Sequence, residues 1–251
     1  MKVLGVIPAR YAAQRFPGKP LAPIAGKPMI WWVWNAARRA LPRVVVATDH
    51  RAIVDAVTAF GGEAVLTSDR CQSGTDRVAE VARKIRADLY LNVQGDEPLM
   101  TARTLKNVLA LHRDRNVQIG TAATTLAAAD WDNPHSVKVL VDKEGYSLYF
   151  SRAALPFYRD GRPRTPPPTP LLLKHLGVYS YRADALRRFI RWPAGTFETA
   201  EKLEQLRALE NGVRLKVAFT PDDSVGVDRP ADVARVERAL AGDKRRNHGR
   251  G

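Results

Sequence analysis

The feature that most constrains this chain is an alternation of short apolar runs with amphipathic stretches. Val3 to Ile7, Arg43 to Thr48, Glu63 to Thr67 and Asp88 to Val93 each read as a strand. Pro28 to Ala40, Ala52 to Phe60 and Thr75 to Arg86 carry helical periodicity between them. Pro28 suits a first helical turn, and Ile30, Val33, Trp34 and Ala37 fall on one face of that helix. Strands that alternate with helices pair in parallel, which predicts a doubly wound α/β sheet flanked by helices. Ligands of such sheets bind beyond the carboxyl ends of the strands, so the loops leaving those ends carry the chemistry. The cluster Trp31, Trp32 and Trp34 is read as packing, with a subunit contact as a further use.

The second half is less regular. Val137 to Val141, Ser147 to Ser151 and Leu176 to Tyr181 read as strands, and Glu198 to Glu210 as a helix. Between them the Pro-rich stretch 159–174 forbids helix and suits either a lid or a plain surface loop. The expected organisation is one α/β domain over 1–241, with a nucleotide half of about 1–125 and a second half of about 126–241. The final stretch, 242–251, is Gly-rich and basic and is expected to be a disordered tail.

After the first strand, VIPARYAAQRFPGKPL places Arg10, Arg15 and Lys19 on one irregular loop, with Pro17-Gly18 forcing a turn. Three cations beside exposed backbone N–H groups form a polyphosphate cradle. The spacing is neither a Walker A loop nor a GxGxxG dinucleotide fingerprint. Most of the net charge of +14 lies in the body of the chain. Arginines placed next to strands and glycines fit an anionic ligand in a cleft better than a nucleic-acid surface, so nucleic acid is not the expected partner. No apolar run approaches the ~20 residues that cross a bilayer, and no membrane partner is expected. The single Cys71 excludes an internal disulfide framework, and together these features lead to the expectation of a cytoplasmic protein.

A second strand end carries VQGDEP, Val93 to Pro98. An acid there suits Mg²⁺, which takes one or two carboxylates and completes its shell with substrate oxygens and water. Asp96 is the first candidate, whereas the Glu97 side chain points the other way on an extended segment. QSGTDR, Gln72 to Arg77, sets small polar residues before a helix that Ser73 or Thr75 can cap. In the second half, Tyr179 and Tyr181 share a strand face, which His175 joins only if that strand starts early. Glu201, Glu204 and Gln205 fall on one face of the expected later helix.

The phosphate loop, followed in order by AGKPMI, VVVATD, QSGTDRVAE, NVQGDEPL, YFSRAALP, HLGVYSYR, LEQLRALENG and GVDRPAD, resembles the 3-deoxy-manno-octulosonate cytidylyltransferases, or CMP-Kdo synthetases. The matches run from about Val3 to Leu240, and Phe16 stands where that family commonly has leucine. The resemblance implies a nucleotide-diphospho-sugar transferase-like fold with a sugar-binding and dimerisation half. It further implies transfer of CMP from CTP to Kdo, a Mg²⁺ requirement, a homodimer and a role in lipopolysaccharide biosynthesis. The implied catalytic residues are Arg10, Lys19, Asp96 and Asp228, with Asp96 and Asp228 as the metal ligands. The implied nucleotide contacts are Ala9, Arg10, Arg15, Lys19, Gln72, Ser73, Gly74 and Arg77. Those to the acidic sugar are Gln94, Arg152, His175, Tyr179, Glu201, Glu204 and Gln205. A cytidylyltransferase for 8-amino-Kdo or a sialic acid is the nearest alternative. A glycosyltransferase would need a DxD motif at the expected strand end, and Asp130-Trp131-Asp132 lies elsewhere. A basic nucleic-acid-binding protein is the alternative outside these enzymes.

Overall fold

The computed structural model describes residues 1–12, 15–161 and 172–248, with 242–248 as helix backbone alone. The chain forms two compact units, 1–102 with 224–251 and 103–223. The first unit runs β1 (Val3–Ala9), β2 (Pro23–Ile24), β3 (Lys27–Pro28), α1 (Met29–Arg38), β4 (Val44–Thr48), α2 (Arg51–Ala59), β5 (Glu63–Leu66), α3 (Gly74–Lys84) and β6 (Leu89–Val93). The second holds α4 (Ala102–Ala110), β7 (Ile119–Thr125), β8 (Lys138–Val141), β9 (Ser147–Ser151), β10 (Leu172–Arg182), α5 (Ala183–Phe189), α6 (Thr196–Glu201), α7 (Leu206–Glu210) and β11 (Lys216–Phe219). The last helix, α8 (Pro230–His248), belongs to the first unit.

In the first unit, β1 pairs in parallel with β4 and with β6, and β4 with β5. The order β6-β1-β4-β5 therefore steps outward from β1 in one direction and then returns to its other side. This reversal makes the β1/β6 boundary the switch point, where loops after the two strands diverge and leave a crevice. Strands β1, β4 and β6 are buried hydrophobic runs, as strands covered on both faces must be, whereas the edge strand β5 is half exposed. Met29, Ile30, Val33 and Ala37 form the buried face of α1, with Trp34 at its margin. The tryptophans are used in packing: Trp32 Nε1 donates to the Ile24 carbonyl, Trp31 meets Trp32 edge-on, and Trp34 packs on Phe60. A separate cluster of Ile24, Met29, Val227 and Val236 takes Phe16 against it, so the side chain that departs from the family pattern anchors the first loop to the core.

The second unit has a mixed sheet. Strand β7 pairs in parallel with β11 and antiparallel with β10, and β10, β8 and β9 continue antiparallel. Strand β10 begins at Leu172, four residues before the expected start, and so includes His175. Its pairing with β7 skips two residues, Gly177 and Val178, between Leu176 and Tyr179. Two extra residues preserve the alternation of faces, so the rings of His175, Tyr179 and Tyr181 form one row. The expected single helix over 198–210 is instead two helices, α6 and α7, broken at Lys202, which adopts φ 54°. Glu201, Glu204 and Gln205 consequently do not share a helix face. Of the Pro-rich stretch, 162–171 lies outside the described residues, and Leu172 to Lys174 are strand. Helix α8 continues to His248, through seven positions of the stretch read as a tail.

Two histidines of this second unit are buried and neutral. His112 Nε2 pairs with Ser180 Oγ at 2.7 Å, and burial, aided by the charge of Arg182, lowers its pKa to about 4. Burial alone lowers His175 to about 3. In the unfolded chain both take up a proton near the ordinary value of about 6.5. Below that pH the unfolded state binds more protons than the folded one, so stability is full above it and declines as pH falls. Each histidine contributes about 1.4 kcal/mol per pH unit across that window. Urea unfolding at pH 7.5 and pH 5.0 should show a loss of a few kcal/mol at the lower pH. Equal midpoints at the two pH values would contradict the buried, neutral assignment.

Candidate active site

The crevice at the switch point has a volume of about 450 Å³. Pro8, Ala9 and Arg10 enter from the end of β1, and Gln94, Gly95 and Asp96 from the end of β6. Arg15, Phe16 and Lys19 come from the first loop, Gly74 and Arg77 from α3, and Asp228 from the approach to α8. Gly95 is needed because a Cβ there would lie 2.6 Å from the Pro8 carbonyl oxygen. The two strand-end loops could not approach so closely with any larger residue.

Charge is organised around Lys19. Its ammonium lies 2.7 Å from Asp96 Oδ2 and 3.8 Å from Asp228 Oδ1, and Arg15 reaches the other oxygen of Asp228 at 3.1 Å. The Lys19 side chain is 13% exposed, against 57% for Arg15 and 51% for Asp228. The Arg15–Asp228 pair is therefore a solvent-screened contact of small net worth. Asp228 is brought to Asp96 although 132 positions separate them, because Val227 N donates to the Asp96 carbonyl at 2.9 Å. Asp232, in the first turn of α8, then accepts from the amides of Asp228 and Arg229 and fixes that turn. Glu97 points elsewhere, to Ser224 Oγ, in keeping with its expected orientation.

The donor set fits a hard divalent cation. Two carboxylates converge on one positive charge, and Mg²⁺ requires no more protein ligands when substrate phosphates complete its shell. Among the described residues no three of His, Cys, Asp and Glu lie together closely enough to hold a metal alone.

The QSGTDR segment is divided between architecture and the lining of the cleft, which Gly74 and Arg77 reach. Ser73 caps α3, accepting from the Asp76 amide while Asp76 accepts from the Ser73 amide. Thr75 is buried and meets Asn92. The Gln72 side chain is tied to the Arg70 carbonyl, and the Gln72 carbonyl receives Arg10 at 2.8 Å. Arg77 is only 2% exposed, and its guanidinium donates to Asp49, Thr67 Oγ1 and the Ser68 carbonyl. It braces the loop before α3 and contributes to the cleft wall. Asp49 was not singled out from sequence, although VVVATD marked its position at the end of β4. Cys71 is half-buried beside Glu80, as a space-filling residue would be.

Gln94 belongs to the first unit, where its side chain meets Asn92 at 3.2 Å. The other candidate sugar contacts are all in the second unit and form two groups. In one, Glu201 accepts from Ser151 Oγ at 2.5 Å and from the Arg152 amide at 2.9 Å. Arg152 donates through Nε to the Glu201 carbonyl and through one terminal nitrogen to the Pro134 carbonyl. The buried ammonium of Lys138 gathers the carbonyls of Asn133, Ser136 and Arg152. Glu201 thus holds Arg152, and the carboxylate that the sequence offered as a substrate contact is engaged internally. In the other group, Thr121 Oγ1 donates to the Val178 carbonyl, so the His175 Nε2–H donates to Thr121 at 2.9 Å. Tyr179 donates to Gln205 Oε1 at 3.1 Å, while Gln205 Nε2 is buried without a hydrogen-bond partner in the described structure. Glu204 lies 4.0 Å from Arg207. Phe150, packed edge-on against His175, connects this group to Ser151 on the same strand. Asp130 of the DxD-like triplet is occupied by Ser136 and Asn133, and Trp131 is buried.

Comparison with known proteins gives this geometry a context. The sequence profile of the family described as Cytidylyltransferase matches residues 4–216. A 3-deoxy-manno-octulosonate cytidylyltransferase of Koribacter versatilis is 49% identical, over 96% of this chain and 90% of its own length. One from Geobacter sulfurreducens is 46% identical, over 96% of this chain and all of its own. The solved structure of a CMP:2-keto-3-deoxy-manno-octonic acid synthetase complexed with CTP superposes with a TM-score of 0.89 at 39% identity, covering 97% of this chain and 100% of that one. A Methanothermobacter nucleotidyl transferase, at 18% identity and a TM-score of 0.62 over 96% of this chain and 99% of its own, shares the fold. With this similarity over nearly its whole length, the chain belongs to the cytidylyltransferase family and, within it, to the 3-deoxy-manno-octulosonate cytidylyltransferases.

Proposed function

We propose that this chain transfers CMP from CTP to the anomeric 2-hydroxyl of 3-deoxy-D-manno-octulosonate, releasing pyrophosphate and supplying CMP-Kdo for lipopolysaccharide biosynthesis. The observation that carries the reading is Lys19 between Asp96 and Asp228 in a cleft also lined by Arg10 and Arg15. Three cations on one loop match the β- and γ-phosphates, which leave as pyrophosphate after in-line attack of the 2-hydroxyl on the α-phosphorus. The chemistry rests on positioning and neutralisation of charge, with the hydroxyl proton leaving alongside pyrophosphate. Mg²⁺ held by Asp96 and Asp228 would supply charge neutralisation at the phosphates and polarisation of the attacking hydroxyl.

The residues that remain divide by what they can offer. Ala9, Gln72, Ser73 and Gly74 surround the nucleotide with backbone groups and small side chains, and Arg77 holds that wall in place. Arg152 presents the guanidinium edge not used by the Glu201 and Pro134 carbonyls to the sugar carboxylate. Gln205 Nε2, buried and lacking a partner, suits a sugar hydroxyl beside Tyr179 and Glu204. His175 is neutral and donates to Thr121, so it orients rather than transfers a proton. The working form is a homodimer in the cytoplasm. Among the described residues no helix is long and apolar enough to cross a membrane.

Pyrophosphate release with four nucleoside triphosphates and a panel of Kdo, 8-amino-Kdo and a sialic acid tests the assignment, and the highest kcat/KM is expected for CTP with Kdo. Preference for another acid would reassign the sugar. In Asp96→Asn, turnover should fall on the order of 10³-fold while CTP still binds. Near-normal turnover in that variant refutes the metal role. In Glu201→Gln, loss of the carboxylate that holds Arg152 should raise KM for Kdo about tenfold and leave KM for CTP unchanged. An unaltered KM for Kdo would show that Glu201 does not position Arg152.

A further inference from the structure

The end of β4, Thr48-Asp49-His50, lies beside the phosphate loop. The ring of Tyr11 stacks on the His50 imidazole with centroids 3.9 Å apart and planes 14° from parallel. Gly18 lies against the same tyrosine side chain, close enough that a Cβ would be 3.6 Å from its Cε2, Cζ and hydroxyl oxygen. Gly18 N donates to the Tyr11 carbonyl at 2.9 Å, and Gly18 takes φ 70°, which favours glycine. The Tyr11 amide faces Asp49 Oδ1 at 3.5 Å. Tyr11 and Gly18 thus form the stem of the phosphate loop, with Arg10 directly before it and Lys19 directly after it. His50 is itself fixed. Its amide donates to Thr48 Oγ1, and its Nδ1 accepts from the Ala52 amide as the cap of α2.

Neither ring lines the cleft. We propose that Tyr11 and His50 are a positioning pair that clamps the stem of the phosphate loop onto the end of β4, holding Arg10 and Lys19 at the spacing a triphosphate requires before the nucleotide arrives. This rests on the reading of that loop as the triphosphate site. A flexible loop must lose conformational freedom when it closes on a ligand, and a stem already stacked and hydrogen-bonded has lost part of it in advance. The stacked faces supply this without placing a further side chain among the phosphates.

The test compares Tyr11→Ala, Tyr11→Phe and His50→Asn, the last chosen because asparagine retains a capping acceptor for α2 while removing the ring. Three quantities are read: KM for CTP, KM for Kdo, and the rate of tryptic cleavage after Arg15 in the full chain without substrates. Tyr11→Ala and His50→Asn should raise KM for CTP about tenfold and accelerate cleavage, with KM for Kdo within about threefold of wild type. Tyr11→Phe, which keeps the ring, should restore both readouts. Wild-type KM for CTP in Tyr11→Ala overturns the proposal, and so does failure of Tyr11→Phe to rescue. A parallel rise in KM for both substrates would indicate distortion of the whole site rather than of the loop and equally overturn it. Wild-type protein that releases no pyrophosphate from CTP and Kdo would defeat the functional reading alone, because the cleavage series still reports on the clamp.

Discussion

The Lys19 ammonium, 2.7 Å from Asp96 and 3.8 Å from Asp228, sits largely out of solvent where three separate segments of chain converge. Two carboxylates converging on one point repel one another unless a cation stands between them. In the protein alone, that cation is lysine. In the proposed reaction a triphosphate competes for the same ammonium, since a phosphate oxygen is an equally strong acceptor. Once lysine turns to phosphate, the carboxylates again need positive charge between them. In that reading Asp96 and Asp228 would hold a divalent ion, which would supply the charge without a further protein ligand.

The fold delivers these charges by ordinary means. The order β6-β1-β4-β5 opens the crevice between the two strands whose following loops carry the cations and Asp96. Gly95 allows those loops to touch, Phe16 fastens the first of them to the core, and a backbone hydrogen bond from Val227 brings in Asp228. The cap of α8 by Asp232 stabilises that last approach. Each contact is unremarkable alone, and together they fix five charged groups within one small volume.

Much of this was legible in the sequence. The alternation of strands and helices in the first unit lies within a residue or two of the observed elements, because buried parallel strands and amphipathic helices leave strong periodic signals. Arg10, Lys19 and Asp96 were legible because each follows a strand or a forced turn, and Arg15 because it shares the loop of the other two cations. What could not be read was which polar groups are already spent. Arg77 and Glu201 have the right chemistry and the right spacing, yet Asp49 and Thr67 engage one, and Ser151 and Arg152 the other. The break at Lys202 was hidden because a lysine with positive φ carries no turn signature, and so the face shared by Glu201, Glu204 and Gln205 was lost. The early start of β10 was obscured by the prolines before it. The skip at Gly177 and Val178, which keeps His175 in line with Tyr179, depends on pairing that no local pattern encodes.

The exchange of lysine for a divalent ion is the central claim, and Mn²⁺ titration followed by electron paramagnetic resonance tests it most directly. The titration is run without sugar, with and without CTP, and the signal of Mn²⁺–CTP in buffer is subtracted. The account predicts weak binding to the protein alone, where Lys19 holds the carboxylates, and binding tighter by at least about tenfold once CTP is present. Equal Mn²⁺ affinity in the two conditions, or none in either, would contradict it.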